Sequence, residues 1–567
     1  MFRLYNLLKS KKSTIFKLLP LLIAGLFIVL VMVQSSKPFV LDEMDFPTVS
    51  RETSMTGRPI YYHSEQVPQN SGTYHPTMYI NFLSAFIKTF GYSETTIRAF
   101  GLICVLLSAY LLIRIIRLLT KKNPTIEWIF LGVYLLNPYT IANATLPDID
   151  PTVLPLVILL FIYVALRYVF KKTLFAKRTW IVLGLLFALA LWAKLTTPLI
   201  LPFFTLVLAW ISSKKFSKSL LFTLKVTGLG IATFVSTYFI YCLALRLPLT
   251  YTYTFLWASF TKGTSSQGPI AGALHNITNF NTFIYWFTIP LVVVLGVSII
   301  ALLARKARDQ KDKIKLLIVV TAILTTLFYI ALLSPFGGYF KYPFPVFGLL
   351  LLSIVFMYDR YLSEVKLNNW LIAVAFVFGF IVEKTLWGDS MFLTHRSMEL
   401  STLIGLILVA VTIYILLVKP NTKNILAMFL VLLLSFSVGF QLSISRAQAI
   451  APYPTKYLYG QLGLADTAAY LRANTGTDEV IWSMKDVGQY AQRRHQESYA
   501  YYFDASLNTE LVNMLKEGKI RYYITTTGIG EDNIDYYKNV KDDLNTYATK
   551  VKQFDNFIIY KANSTEN

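Results

Sequence analysis

Long apolar stretches alternate with short polar ones through the first 443 residues. A helix needs about 20 mostly apolar residues to cross a bilayer, and many of these stretches approach or reach that length. Because lipid cannot pair a free backbone group, we predict that they are helices. About thirteen spans are predicted, at residues 18–36, 97–119, 126–143, 152–170, 180–194, 197–212, 220–246, 281–304, 314–333, 343–358, 369–387, 399–418 and 424–443.

The charges between these spans predict the orientation of the chain. Lysine and arginine cluster in alternate loops, at residues 9–17, 114–122, 171–178, 214–218, 305–315 and 419–423. Loops rich in Lys and Arg face the cytoplasm. We therefore expect a plasma-membrane protein with a cytoplasmic N-terminus. In this orientation the segments on the outer face are residues 37–96, Asn143–Pro151, residues 247–280 and the tail from 444.

The first outer loop, residues 37–96, is predicted to contain two helices. One runs from about Pro47, a residue suited to a first helical turn, toward Gly57. The other covers Thr77–Phe90, with Tyr79, Phe82, Leu83 and Phe86 on one face and Gly91 as its stop. Such an amphipathic helix can lie along the membrane surface.

The tail alternates between helix and strand patterns over its 120 or so residues. Helices are predicted at Leu464–Asn474 and Asn508–Glu517, and strands at residues 479–483, 520–526 and 557–560. The predicted fold class is thus a polytopic α-helical membrane protein, in which residues 1–443 form the transmembrane domain. Residues 444–567 form a small extracytoplasmic α/β domain.

Composition excludes several classes of protein. With 55% hydrophobic residues and a mean hydropathy of +0.52, the chain is not an ordinary soluble protein. The net charge of +22 does not indicate nucleic-acid binding, because the tail from 444 is nearly neutral and the excess lies in the membrane part. Cys104 and Cys242 both lie in apolar runs, so we expect neither a disulfide framework nor a cysteine metal site.

Two acidic groups lie at the predicted outer surface. Asp42, Glu43 and Asp45 directly follow the first span, where an ionised carboxylate could act as a general base or could cap a helix. Asp148 and Asp150 form an Asp-x-Asp pair between two prolines. That pair could bind a divalent cation or sugar hydroxyls, or it could cap the following span.

Three cationic candidates also lie at outer ends of spans, where the positive-inside rule disfavours lysine. They are His75 before Pro76, Lys194 in Trp192-Ala193-Lys194, and Lys341 in Tyr339-Phe340-Lys341-Tyr342-Pro343. Each lysine could extend toward the lipid headgroups, or it could bind an anion such as a lipid phosphate.

Several motifs in order resemble GT-C-fold glycosyltransferases, in particular the protein O-mannosyltransferase and aminoarabinose-transferase branch. The similar residues are Asp42-Glu43, Arg51-Glu52, Thr56-Gly57, Tyr74-His75-Pro76, Phe90-Gly91, Arg98, Asp150-Pro151, Lys194 through Pro198, and Ser334-Pro335 through Lys341-Tyr342-Pro343. The resemblance covers about residues 1–360. His75 stands where the aminoarabinose enzymes have lysine, and Thr77 replaces a second proline.

This resemblance implies transfer of a monosaccharide from a polyprenyl-phosphate carrier to a hydroxyl acceptor on the outer face. Asp42 would be the general base of an inverting reaction. Lys194, Lys341 and His75 would hold the donor phosphate, and Glu43 and Asp150 would position sugar or acceptor hydroxyls. By their place in the same motifs, Asp148, Tyr339 and Tyr342 join the candidate substrate-binding residues. The acceptor would be a protein, lipid or glycan.

Alternative functions remain at this stage. One is a transporter or flippase of a lipid-linked saccharide, although transporters usually place ionisable residues near the bilayer midplane. Another is a non-catalytic partner in envelope assembly. No cofactor is expected. A metal-dependent variant stays open, because Glu43-x-Asp45 and Asp148-x-Asp150 resemble the acidic pairs of oligosaccharide-transferring relatives.

Overall fold

The structure of the protein is a computed structural model. The residues that it describes are 20–35, 39, 44–59, 76–121, 124–247, 289–303, 309–332, 341–362, 369–387, 423–450, 457–458, 461–498, 501–502, 504–527 and 535–563. The chain divides into two compact units, one of residues 1–36 and 98–451 and the other of residues 37–97 and 452–567.

The first unit is helical. The described helices up to residue 450, numbered in chain order, are α1 (Pro20–Gln34), α2 (Asp45–Thr56), α3 (Met78–Phe90), α4 (Glu94–Leu119), α5 (Pro124–Leu135), α6 (Pro138–Thr145), α7 (Val153–Phe170), α8 (Lys177–Ala193), α9 (Ile200–Ser213), α10 (Phe216–Leu245), α11 (Ile289–Leu303), α12 (Gln310–Leu332), α13 (Phe344–Met357), α14 (Asn369–Trp387) and α15 (Lys423–Ile450). Of these, α2 and α3 belong to the second unit. Among the described residues, α4, α7 and α10 are long and apolar enough to cross a membrane. The architecture is that of a polytopic helical membrane protein.

The helix bounds follow the predicted spans closely, with two corrections. The span predicted at 126–143 is two helices, α5 and α6, which are separated at Asn137-Pro138. Asn137 is extended, and its side chain accepts a hydrogen bond from the Tyr139 backbone N–H, so it starts a new helix. The last span does not end at 443, because α15 continues to Ile450. The span predicted at 399–418 lies outside the described residues, so the count of thirteen stays a prediction.

Small residues allow two described helices, α14 and α15, to approach each other closely. A Cβ added to Gly379 of α14 would overlap the backbone carbonyl of Phe436, and one added to Gly439 of α15 would overlap that of Phe376. Ser435 of α15 also donates a hydrogen bond to the Ile372 carbonyl oxygen at 2.7 Å. In lipid, such close backbone approach supplies the packing that holds helices together.

The second unit contains a five-stranded mixed sheet. Its strands are β3 (Val480–Ser483), β4 (Arg494–Glu497), β5 (Tyr522–Thr526), β6 (Ala548–Phe554) and β7 (Phe557–Ala562), after a small pair of β1 (Tyr457–Leu458) and β2 (Gln461–Leu462). The order is β4-β3-β5-β7-β6, with β3 parallel to β4 and β5, and β7 antiparallel to β5 and β6. The helices are α16 (Leu464–Asn474), α17 (Lys485–Ala491), α18 (Asn508–Glu517) and α19 (Lys541–Tyr547). Around Trp482, the core of this unit is rich in tyrosine.

The first outer loop is part of this second unit, whereas the sequence-based division placed it with the transmembrane domain. Helix α2 begins at Asp45, two residues before the predicted start, and Gly57 ends it in the left-handed conformation with φ of 75°. Helix α3 covers Met78–Phe90, so the four residues predicted to share a face do lie on one side of it. Tyr79 and Leu83 of that face are buried, and Phe82 is exposed.

Polar contacts join α2 to the tail. The Asp45 carboxylate accepts a hydrogen bond from the Lys485 ammonium at 2.7 Å, and Glu52 pairs with Arg494 at 2.5 Å. Thr48 donates a hydrogen bond to the Gln489 side chain at 2.7 Å. These contacts involve charged and amide groups that pattern analysis treats as solvated, which is why the association was not predicted.

Candidate functional site

The turn between α6 and α7 holds the two acidic residues of the Asp-x-Asp pair in a fixed arrangement. The Asp148 carboxylate accepts the Asp150 backbone N–H at 3.1 Å, and the Asp148 carbonyl oxygen accepts the Thr152 hydroxyl at 2.5 Å. Thr152 is the N-cap residue of α7, and no side chain caps that helix end. The capping interpretation of this pair is therefore wrong.

Lys194 follows the last residue of α8 and is fully extended, with φ of −158° and ψ of 145°. This conformation ends the helix and directs the side chain to the α6–α7 turn. The ammonium donates to both carboxylate oxygens of Asp150, at 2.7 and 2.8 Å. Ammonium and carboxylate are both almost completely buried, with exposed side-chain fractions of 5% and 3%.

Lys341 forms the second ion pair from the turn that precedes α13. Its ammonium donates to the Asp148 carboxylate at 2.6 Å. Four charged side chains from three separate parts of the chain thus form one buried cluster, which we call the Asp–Lys cluster (Asp148, Asp150, Lys194 and Lys341). Both ammonium groups bind buried carboxylates, so neither lysine side chain extends to the exposed surface of the described structure.

Two stacked tyrosines cover one side of the cluster. Tyr342 and Tyr329 lie with ring centroids 5.7 Å apart and planes at 13°. The Lys194 ammonium is 4.5 Å from the Tyr342 centroid and 5.7 Å from that of Tyr329. An aromatic face attracts a cation at such distances. The Tyr329 hydroxyl also shares a hydrogen bond with the Thr197 hydroxyl.

Sequence reasoning missed Tyr329 and Thr197 as site residues. Thr197 lies within the Lys194–Pro198 motif but was given no role there, and Tyr329 falls within the apolar span predicted at 314–333. The available signal was a tyrosine near the outer end of the helix that precedes the Lys341 turn. Tyrosine is common at that depth of a membrane, so the signal was not specific.

Burial and ion pairing shift the pKa values of the two aspartates in opposite directions. Burial raises the pKa of Asp150 to about 6, and the neighbouring Asp148 charge adds to this while Lys194 opposes it. Burial also acts to raise the pKa of Asp148, but the charge and hydrogen bond of Lys341 outweigh it, so the pKa of Asp148 is lowered. At neutral pH the cluster therefore contains two carboxylates and two ammonium groups.

The lysines stay charged in this setting. Burial acts to lower the pKa of Lys194 and of Lys341, but the attraction of Asp150 and Asp148 is larger, so both values are raised. A charged, oriented ammonium group in a buried site is suited to stabilise an anion or a leaving group that gains negative charge.

Asp42, Glu43, His75 and Tyr339 are outside the described residues. Asp45 belongs to the second unit and binds Lys485 there. Within the described part of the chain, no three His, Cys, Asp or Glu side chains form a group that could hold a metal ion. Asp148 and Asp150 each bind a lysine ammonium, and those positive charges oppose a divalent cation at the same oxygens.

Comparison with known proteins identifies the fold. No protein-family model and no curated protein sequence matches the chain. Among solved structures, ArnT from Cupriavidus metallidurans bound to undecaprenyl phosphate has a TM-score of 0.60 at 13% identity, over 98% of this chain and 99% of that one. Its apo state gives a TM-score of 0.58 at 13% identity, over 98% of each chain. The mycobacterial arabinofuranosyltransferase AftD gives 0.50 at 12% identity, over 97% of this chain and 40% of that one.

These proteins are GT-C membrane glycosyltransferases, so the chain has the GT-C fold. The neighbours include the aminoarabinose transferase of the expected resemblance. Similarity to the protein O-mannosyltransferase branch stays a prediction from the sequence motifs.

Proposed function

We propose that this protein is an integral-membrane glycosyltransferase that moves a monosaccharide from a polyprenyl-phosphate carrier to a hydroxyl acceptor on the outer face of the membrane. The observation that carries the proposal is the fold match over nearly the whole of both chains to ArnT, whose structure holds undecaprenyl phosphate. A match of this extent includes the tail as well as the helices.

The Asp–Lys cluster supports the donor part of this proposal. A sugar linked to a phosphate leaves behind an anion, and Lys194 and Lys341 are two ammonium groups that remain charged. Lys194 uses two of its three N–H donors on Asp150. In our proposal the carboxylates hold the lysines in place, and the donor phosphate binds at the lysine side of the cluster beside Tyr342.

The acceptor part rests on the resemblance in the first outer loop. Asp42 would take the proton from the acceptor hydroxyl, which then attacks the anomeric carbon with inversion. Glu43 and His75 would bind acceptor and donor groups, and Tyr339 would line the donor side. We expect no cofactor and no requirement for a divalent cation.

The test is sugar transfer from radiolabelled polyprenyl-phosphate sugars into membrane material, measured with and without chelator. Asp42→Asn should abolish transfer while the protein still folds, and Lys194→Gln should lower it strongly. Asp45→Asn is the matched control, because this nearby carboxylate forms a partly exposed ion pair with Lys485.

Transfer by Asp42→Asn at the wild-type rate would contradict the general-base role. Loss of transfer with chelator would contradict metal independence. If the wild-type protein transfers none of several sugars, the transporter interpretation replaces the enzymatic one.

A further inference from the structure

An apolar groove lies between α9 and α12, far from the Asp–Lys cluster. It encloses about 470 Å³. Its walls are apolar side chains of the two helices, among them Phe203 and Trp210 of α9 and Leu317 of α12. Two charged residues complete the lining, Lys214 and Lys313.

Both lysines lie at the same end of the groove. Lys214 is the C-cap residue of α9, and its backbone N–H donates to the Trp210 carbonyl oxygen at 2.9 Å. Lys313 lies in the first turn of α12. The other ends of the two helices meet where Thr197 contacts Tyr329, so the helices run antiparallel.

The two ammonium groups are available to a ligand. Both lysines are exposed, and no described carboxylate forms an ion pair with either of them. The nearest acidic residue along α12, Asp312, instead pairs with Arg360 at 3.5 Å. The end of the groove is therefore positively charged, and its length is apolar.

The dimensions of the groove agree with one leaflet of a bilayer. Lys214 follows Phe203 by 11 positions, which is about 16 Å along a helix and about half of a 30 Å hydrocarbon core. Lys214 and Thr197, which contacts Tyr329 beside the Asp–Lys cluster, are 17 positions apart, or roughly 25 Å. With the spans predicted from the sequence, the charged end of the groove and the Asp–Lys cluster would lie at opposite faces of the membrane.

We propose that this groove binds an anionic phospholipid of the cytoplasmic leaflet. One acyl chain lies against Phe203 and Leu317, and the headgroup phosphate binds between Lys214 and Lys313. The apolar walls exclude water from the chain. Each lysine meets the phosphate as a point charge, and Trp210 lies at the interface depth where tryptophan is favoured. A polyprenyl chain is much longer than the groove, which favours a glycerophospholipid.

The experiment measures binding of phosphatidylglycerol to the purified full-length protein in neutral detergent, with brominated phosphatidylglycerol as quencher of tryptophan fluorescence. The test variant is Lys214→Gln with Lys313→Gln. The matched control is Lys215→Gln with Lys311→Gln, which removes the neighbouring exposed lysine at each position without touching the groove. We expect the test variant to bind roughly thirtyfold more weakly and the control to stay within about twofold of wild type.

A second variant separates the groove from general surface charge. Val207→Trp fills the apolar part of the groove and leaves both lysines in place. We expect it to weaken binding of phosphatidylglycerol while the melting temperature stays near that of wild type.

Three results would overturn the proposal. If the test and control variants lose phosphatidylglycerol binding equally, the lipid is attracted to exposed lysines in general and not to this groove. Unchanged binding in Val207→Trp would show that no chain enters the groove. Tighter, Lys214-dependent binding of undecaprenyl phosphate than of phosphatidylglycerol would assign the groove to the carrier lipid instead. None of these outcomes depends on sugar transfer, so the proposed enzymatic function is tested separately.

Discussion

Replacing Lys194 by methionine tests how much the Lys194–Asp150 ion pair of the Asp–Lys cluster contributes to the free energy of unfolding. The substitution keeps most of the side-chain volume and removes the ammonium that binds both oxygens of Asp150 at 2.7 and 2.8 Å. Asp150 is then a carboxylate that is 2% exposed, with the Asp148 charge beside it. Removing one partner of a buried pair costs about 3–5 kcal/mol, because the remaining charge stays buried without compensation.

The same variant should depend on pH. In the wild type the pKa of Asp150 is already raised to about 6 by burial, and loss of the opposing lysine raises it further. A carboxyl group whose pKa is raised in the folded state stabilises that state at low pH, and this stabilisation is lost as the pH rises through the folded pKa. Above pH 6 the penalty of Lys194→Met should therefore grow by at most about 1.4 kcal/mol per pH unit, until the pKa of the variant is passed.

The measurement is the free energy of unfolding of purified protein in detergent at pH 5.5 and pH 8, by intrinsic fluorescence. Arg117→Met is the matched control, because Arg117 binds Glu127 with similar geometry, at 2.7 and 2.8 Å, but is 49% exposed. Exposed pairs contribute about 0–1 kcal/mol. The double variant Lys194→Met with Asp150→Leu should recover most of the loss, since it leaves no unpaired charge.

Three results would refute this reasoning. They are equal losses for Lys194→Met and Arg117→Met, a double variant no more stable than the single one, and a penalty that does not change with pH.

Two further predictions concern packing. Gly439→Ala should lower the free energy of unfolding by about 2 kcal/mol or more, because the new methyl group overlaps the Phe376 carbonyl. Gly296→Ala is the control: no described atom lies within 4 Å of the new methyl group, so this variant should be neutral or slightly stabilising. Equal melting temperatures for the two variants would contradict the close contact of α14 and α15. Asp45→Asn should cost less than about 1 kcal/mol, since its ion pair with Lys485 is roughly one-third exposed. A larger loss of unfolding free energy would show that this pair holds the first loop to the tail.

Local patterns in the sequence predicted the elements whose burial is uniform or periodic. The apolar runs correspond to α4, α7, α8 and α14 within a few residues, because a helix in lipid must be apolar along its length. Two strands of the five-stranded sheet were not predicted, β4 and β6, and they are its edges. An edge strand pairs on one side only, and β6 is exposed at five of its seven residues, so neither strand shows an apolar pattern.

Most helix positions came from the sequence alone, as did the predicted membrane orientation and the four charged candidates, because apolar length and charge position are local properties. Their pairing did not. Lys194 lies 44 positions from Asp150 in the sequence, and Lys341 lies 193 positions from Asp148. Considered alone, each of these charged side chains could interact with lipid headgroups or with water. Only the tertiary structure brings the α6–α7 turn, the end of α8 and the start of α13 together. Once they are buried in one place, the cost of an unpaired charge makes the four side chains pair with one another.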